Sequence, residues 1–115
     1  MRGLLSRLRA INGVDGAALV SRDGLPVVAD LPSTFDRETF SAMLAATVGA
    51  AETALIEAGR GVPDRIILEN QGTRIMAMGV SDQFLLVVSG RGDLNLDSVK
   101  VAIAALTQEL QALTA

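Results

Sequence analysis

Apolar and polar residues alternate along this chain in two rhythms, and the switches between them mark its elements. Leu4, Leu5, Leu8 and Ile11 recur at helical spacing with Arg2, Ser6, Arg7 and Arg9 on the other side, so an amphipathic helix opens the chain. Asn12-Gly13 ends it, since either residue tolerates the left-handed conformation of a C-cap. Gly16–Ser21 and Leu25–Ala29 read as strands joined by the tight turn Arg22-Asp23-Gly24. Asp-Gly between two apolar runs is a hairpin signal because Gly supplies the positive φ that the turn demands. Pro26 has no amide donor, which pushes the second strand to a sheet edge.

Asp36 is a suitable N-cap, and Phe35 and Phe40 occupy the two positions of a hydrophobic staple around it. A long helix is predicted over Arg37–Ala58, stopped by Gly59-Arg60-Gly61 and Pro63. Three strand-like runs follow: Asp64–Glu69, Thr73–Val80 and Phe84–Ser89. Asn70-Gln71-Gly72 and Ser81-Asp82-Gln83 join them and are short enough for antiparallel hairpins. The last two runs are apolar on both faces and belong in the middle of a sheet covered on both sides. In the first, Arg65, Ile67 and Glu69 alternate with Ile66 and Leu68, the pattern of an edge. Asn95 is a plausible N-cap for a last helix whose apolar stripe is Val99, Ala102, Ile103, Leu106, Leu110 and Leu113. The order α-β-β-α-β-β-β-α predicts an α+β sandwich on a five-stranded antiparallel sheet.

The 115 residues make a single domain spanning 1–115. Half of them are hydrophobic and one-fifth charged, with a mean hydropathy of +0.40. That is a surplus of apolar surface for a small domain, and a second copy of the chain is its simplest cover. There is no His and no Cys, which excludes a His general base, a thiol nucleophile, a thiolate zinc site and a disulfide. The lack of Cys is compatible with a reducing, cytoplasmic setting. A net charge of −3 and the lack of Trp and Tyr leave no electrostatic footprint or stacking platform for nucleic acid. No apolar run approaches the ~20 residues of a membrane span, and Arg7 and Arg9 interrupt the stretch that a signal peptide would need.

The long helix is the most informative segment. Thirteen consecutive residues, Thr39–Ala51, carry no charge. One stripe, Phe40, Leu44, Thr47, Ala51, Ala54 and Ala58, is expected on the sheet. A second, Ala42, Ala45 and Gly49, leads on to Glu52 and Ile56. Gly inside a helix costs roughly 1 kcal/mol relative to Ala, and close approach of a second helix compensates, because small side chains let two backbones come near. Uncharged helix faces seldom meet water. Ala42, Ala45, Gly49 and Ile56, with the edge residues Arg65, Ile67 and Glu69, are therefore the expected dimer interface. Glu38, Glu52, Glu57 and Arg60 rim the platform expected to meet a partner.

Other motifs fall away. Gly59-x-Gly61 and Gly90-x-Gly92 do not continue into Gly-Lys-Ser/Thr, and Lys100 is the only lysine. Arg91-Gly92-Asp93 is an adhesion tripeptide by chance. Asp15, Asp23, Asp64 and Asp82 stand at turns or strand starts, where turn chemistry accounts for them. Arg60 and Arg91 read as solvated charge. No catalytic constellation, metal site or cofactor site is expected.

The run Ile11-Asn12-Gly13-Val14-Asp15-Gly16-Ala17-Ala18-Leu19-Val20-Ser21-Arg22-Asp23-Gly24-Leu25-Pro26-Val27 resembles the first hairpin of the Roadblock / dynein light chain domain family, and the element order agrees over nearly the whole chain. Asp93-Leu94-Asn95-Leu96 is also similar, although the family tends to Asn-Leu-Gly and here Asp97 follows. The resemblance implies a Roadblock/profilin-like fold with the long helix on one face of the sheet and the terminal helices on the other. It also implies a homodimer in which edge strands join into a ten-stranded sheet and the middle helices lie side by side. Members bind Ras-like small GTPases as regulators or scaffolds, or serve as dynein light chains. Stand-alone prokaryotic members resemble the partner that stimulates a polarity GTPase in gliding motility. Abundant Ala, Gly and Arg beside a single Lys suits a GC-rich prokaryote and sets a motor role aside. The expectation is a non-enzymatic regulator or scaffold that stimulates hydrolysis, if at all, by ordering the GTPase's own groups. The alternative is a structural adaptor that never touches a GTPase.

Overall fold

The computed structural model describes the backbone of residues 2–114 and the side chains of residues 3–105. Its elements run α1 (Arg2–Arg9), β1 (Val14–Ser21), β2 (Pro26–Asp30), α2 (Arg37–Glu57), β3 (Ile66–Glu69), β4 (Thr73–Gly79), β5 (Phe84–Arg91) and α3 (Leu96–Thr114). The sheet is antiparallel with the order β2-β1-β5-β4-β3. Both strands expected at edges lie there, and β5, apolar on both faces, is the central strand with residues 85–90 buried.

Two cores flank the sheet because successive side chains of a strand point to opposite faces. On one face Leu4, Leu5 and Leu8 of α1 and Val99 and Ile103 of α3 pack on Ala17, Met76, Leu86 and Val88. On the other, Leu44 and Val48 of α2 pack on Ala18, Val20, Ala77, Leu85 and Val87. Leu106, Leu110 and Leu113, expected to extend the α3 stripe, lie outside the described side chains.

The caps follow the local chemistry. The Asp36 carboxylate accepts from the Thr39 amide at 3.1 Å, and the Phe35 and Phe40 rings meet edge-to-face with centroids 4.9 Å apart. Asn95 Oδ1 accepts from the Ser98 amide at 3.1 Å. Boundaries move where a turn intervenes. α1 stops at Arg9 and a separate turn, Val14 amide to Ile11 carbonyl, carries Asn12-Gly13 into β1. β1 starts at Val14 rather than Gly16, and β3 starts at Ile66 rather than Asp64.

Two expectations about α2 are corrected. Its sheet-facing seam runs through Ser41, Leu44 and Val48, with Thr47, Ala51 and Leu55 half-buried, while Ala54 and Ala58 are exposed. An Ala-rich helix has little contrast between its faces, so the larger Leu44, Val48 and Leu55 set its rotation on the sheet. The helix is also, by length and apolarity alone, long enough to cross a membrane, and little of it is buried within the protomer. Its packing on the sheet and its ion pair with the first hairpin are those of a sheet-covering helix with an apolar outer side.

Candidate functional site

The outer side of α2 carries Ala42, Met43, Ala46, Gly49, Ala50, Thr53, Ala54 and Ile56, all exposed and none charged. Met43 is 61% and Ile56 57% exposed. Glu52, the one charged residue between Glu38 and Glu57, is turned away. Its two carboxylate oxygens accept from Arg22 Nη1 at 3.1 and 3.2 Å, and Arg22 Nε reaches the Ser81 carbonyl at 3.2 Å. That arginine joins the β1–β2 turn, the β4–β5 turn and α2, and removes from the outer face the charge that would have interrupted it.

Of the residues expected at a dimer interface, Ala42, Gly49 and Ile56 lie on this outer face, whereas Ala45 is half-buried against the sheet core. Nothing beyond the helix's own backbone approaches Gly49: apart from that backbone and its chain neighbours, a Cβ there would meet no atom within 4 Å. Ala42 differs. A Cβ on Gly24, at the hairpin tip, would stand 3.0 Å from Ala42 Cα, so the backbone of α2 at this position leaves no room for a side chain at 24.

The second uncovered surface is the β3 edge, where Leu55 of α2 shares an open pocket with Arg65 and Ile67. The Asn70 amide donates to the Thr73 carbonyl, which closes the β3–β4 hairpin as a hydrogen-bonded pair. Pairs along an antiparallel ladder alternate between bonded and non-bonded, so Leu68 opposite Ile75 and Ile66 opposite Ala77 are bonded. The backbone groups of Ile67 and Glu69 consequently point outward, with no strand beyond them, and Arg65 stands one residue before the strand in the same alternation. Ile67 and Leu68 are 40% and 38% exposed. The Glu69 carboxylate meets Arg74 Nε at 3.2 Å. Arg65, with Met76, Met78, Lys100 and Ile103, lines a cavity of about 220 Å³ on the terminal-helix face.

The opposite edge is closed to pairing. Pro26 offers no amide, the ladder slips between Leu19 and Val20, and Asp30 is held by Arg9 at 2.9 Å. Bulges and prolines are devices that blunt an edge.

The expected partner platform divides. Glu38, Glu57 and Arg60 are exposed, while Glu52 is half-buried in its ion pair. Glu38 and Glu57 stand at opposite ends of α2, about 28 Å apart at 1.5 Å per residue, so one protomer does not gather them. Sequence reasoning passed over the Arg22–Glu52 pair; Arg22 in the turn motif was its only signal. Asp15, at the start of β1, accepts from the Ser89 hydroxyl at 2.7 Å. Among the described residues no group of three or more acidic side chains is placed to hold a metal ion.

Fold and surface together define a three-layer α+β sandwich with one uncharged helix face and one uncovered strand edge. The sequence model of the Roadblock/LC7 domain matches residues 3–89, and the chain belongs to that family. The match stops before Asp93-Leu94-Asn95-Leu96, so the hairpin and middle elements carry it. An uncharacterized protein of Methanocaldococcus jannaschii, MJ1340, is 26% identical over 110 residues, covering 96% of each chain. The Roadblock/LC7 domain of Streptomyces avermitilis superposes with a TM-score of 0.89 at 16% identity, covering 99% of this chain and 97% of the other. MglB of Myxococcus xanthus superposes with a TM-score of 0.88 at 18% identity, covering 97% and 92%. At these identities the two structures speak for the fold.

Proposed function

We propose that this chain is a homodimeric, non-enzymatic regulator or scaffold of a Ras-like small GTPase, working in the cytoplasm. The observation that carries the reading is a pair of uncovered surfaces on one protomer, the uncharged outer face of α2 and the open β3 edge. Water is a poor partner for either, and one two-fold association covers both. The Roadblock/LC7 family and the likeness to MglB support the choice of a GTPase as the further partner. Antiparallel pairing of the α2 helices sets Glu38 of one protomer near Glu57 and Arg60 of the other, which builds the rim that one protomer lacks. Such a platform is formed before the partner arrives, so binding orders no loop.

Two measurements test this. Light scattering at low micromolar concentration is expected to give twice the 12.0 kDa chain mass; a monomer overturns the dimer. Calorimetry against the Ras-like GTPases of the same organism, loaded with a GTP analogue or GDP, is expected to show binding to at least one. Heat from none of them overturns the GTPase reading and favours an adaptor.

A further inference from the structure

We infer that two copies of this chain join through β3 in one register, centred on Ile67, in which Arg65 of each copy faces the partner's Glu69. The inference rests on the homodimer proposed above and fixes its geometry. Within β3 only Ile67 and Glu69 turn their amides and carbonyls outward, and Arg65, one residue before the strand, continues the same alternation in sequence, so a bonded antiparallel pair must set these positions against one another. A slip of one residue would face outward groups with inward ones and form no ladder.

Among the registers left, charge and chain chemistry select. With Ile67 facing the partner's Ile67, the strands bond through that pair and both Arg65 side chains stand opposite the partner's Glu69. All these side chains lie on the terminal-helix face, the side of Met76 and of the Arg65 cavity. On the α2 face, Ile66 faces the partner's Leu68 in the closer, non-bonded spacing, covering the exposed Leu68. A slip of two residues one way sets Arg65 against Ile67 and Glu69 against Pro63, which has no amide. Two the other way sets Glu69 against Ile67 and Arg65 against Gln71. Slips of four face Arg65 with Arg65 or Glu69 with Glu69, and like charges directly opposed are unfavourable. In the selected register Glu69 stands between Arg74 of its own chain, at 3.2 Å, and the partner's Arg65. Since the β2 edge is blunted, the association closes at two copies instead of running on as a fibre.

The chain has no cysteine, which makes crosslinking unambiguous. In the selected register the two copies of residue 67 have Cα atoms about 5.5 Å apart, inside the span of a disulfide. I67C is expected to crosslink under mild oxidation roughly tenfold faster than I66C or L68C, which face themselves only in the registers slipped by two. A charge exchange provides the second test. R65E and E69R should each dissociate at concentrations about tenfold higher than wild type, and mixing the two should yield mainly the heterodimer, in which every facing pair is opposite in sign. Any strain of E69R against Arg74 is present in homodimer and heterodimer alike and cancels. A dimeric wild type in which I66C or L68C crosslinks first, or variants that mix statistically, overturns the register and leaves the dimer standing. A monomeric wild type overturns both.

Discussion

Arg22 Nη1 lies 3.1 and 3.2 Å from the two carboxylate oxygens of Glu52, thirty residues further along the chain. The side chains are 32% and 25% exposed, so the pair is only partly screened by water. The same guanidinium reaches the Ser81 carbonyl; losing it releases three elements, and losing Glu52 releases one. We expect R22A to cost about 1–2 kcal/mol and E52Q about 1 kcal/mol, with non-additivity of about 0.5–1 kcal/mol in a double-mutant cycle. Urea unfolding of the four proteins measures it. Additive costs would mean that the pair contributes nothing beyond its separate contacts.

The β1–β2 turn sets a second expectation. Gly24 has φ +93° and its missing Cβ would stand 3.0 Å from Ala42 Cα, while Gly59 has φ +72° and open space around it. G59A meets only the backbone penalty, about 1 kcal/mol. G24A adds a collision with the backbone of α2 and should cost about 2–3 kcal/mol. Melts of the two variants compare them directly, and equal costs would show that the hairpin tip moves away from the helix without penalty.

These two cases show what was legible in the sequence and what was not. Both edges were readable because they depend on local chemistry: Pro26 lacks an amide, and Arg65, Ile67 and Glu69 alternate with Ile66 and Leu68. The caps at Asp36 and Asn95 were readable for the same reason. The rotation of α2 was not, since Ala sits as readily on a core as in water, and a helix rich in it has no marked face. That is why Ala54 and Ala58 were expected on the sheet and lie outside. Glu52 was expected at a partner-binding rim. It is turned inward by an arginine thirty residues earlier, and no spacing rule reveals a contact made only when the hairpin tip meets α2.

Gly49 gives a prediction whose sign differs between monomer and dimer. Within the protomer a side chain at this position meets nothing beyond its own helix, so G49L should raise the stability of the isolated chain by about 0.5–1 kcal/mol through helix propensity. If two α2 helices meet here, the same side chain overpacks a close contact at about 1–3 kcal/mol and is felt from both copies. Light scattering across a dilution series reads the second effect, and chemical unfolding at concentrations below dissociation reads the first. A variant that stays fully dimeric and unfolds later would place Gly49 in water and move the interface off this face.

The last expectation concerns the partner. Glu38, Glu57 and Arg60 are exposed and make none of the described ion pairs, so their charge is available to steer an approaching protein. Glu52 is not, and reversing it would damage the fold before it reported on binding. Reversing Glu38 and Glu57 together should leave the dimer mass and melting temperature close to those of wild type, since exposed substitutions of this kind usually change stability by no more than about 0.5 kcal/mol. Association with the GTPase should slow by about tenfold at low ionic strength, with a smaller change in dissociation, because charges at a rim act on encounter more than on residence. Stopped-flow kinetics over a range of salt concentrations separates the two. An unchanged association rate would place the GTPase away from the α2 layer, and a fall in dimer mass would show that these glutamates hold the copies together.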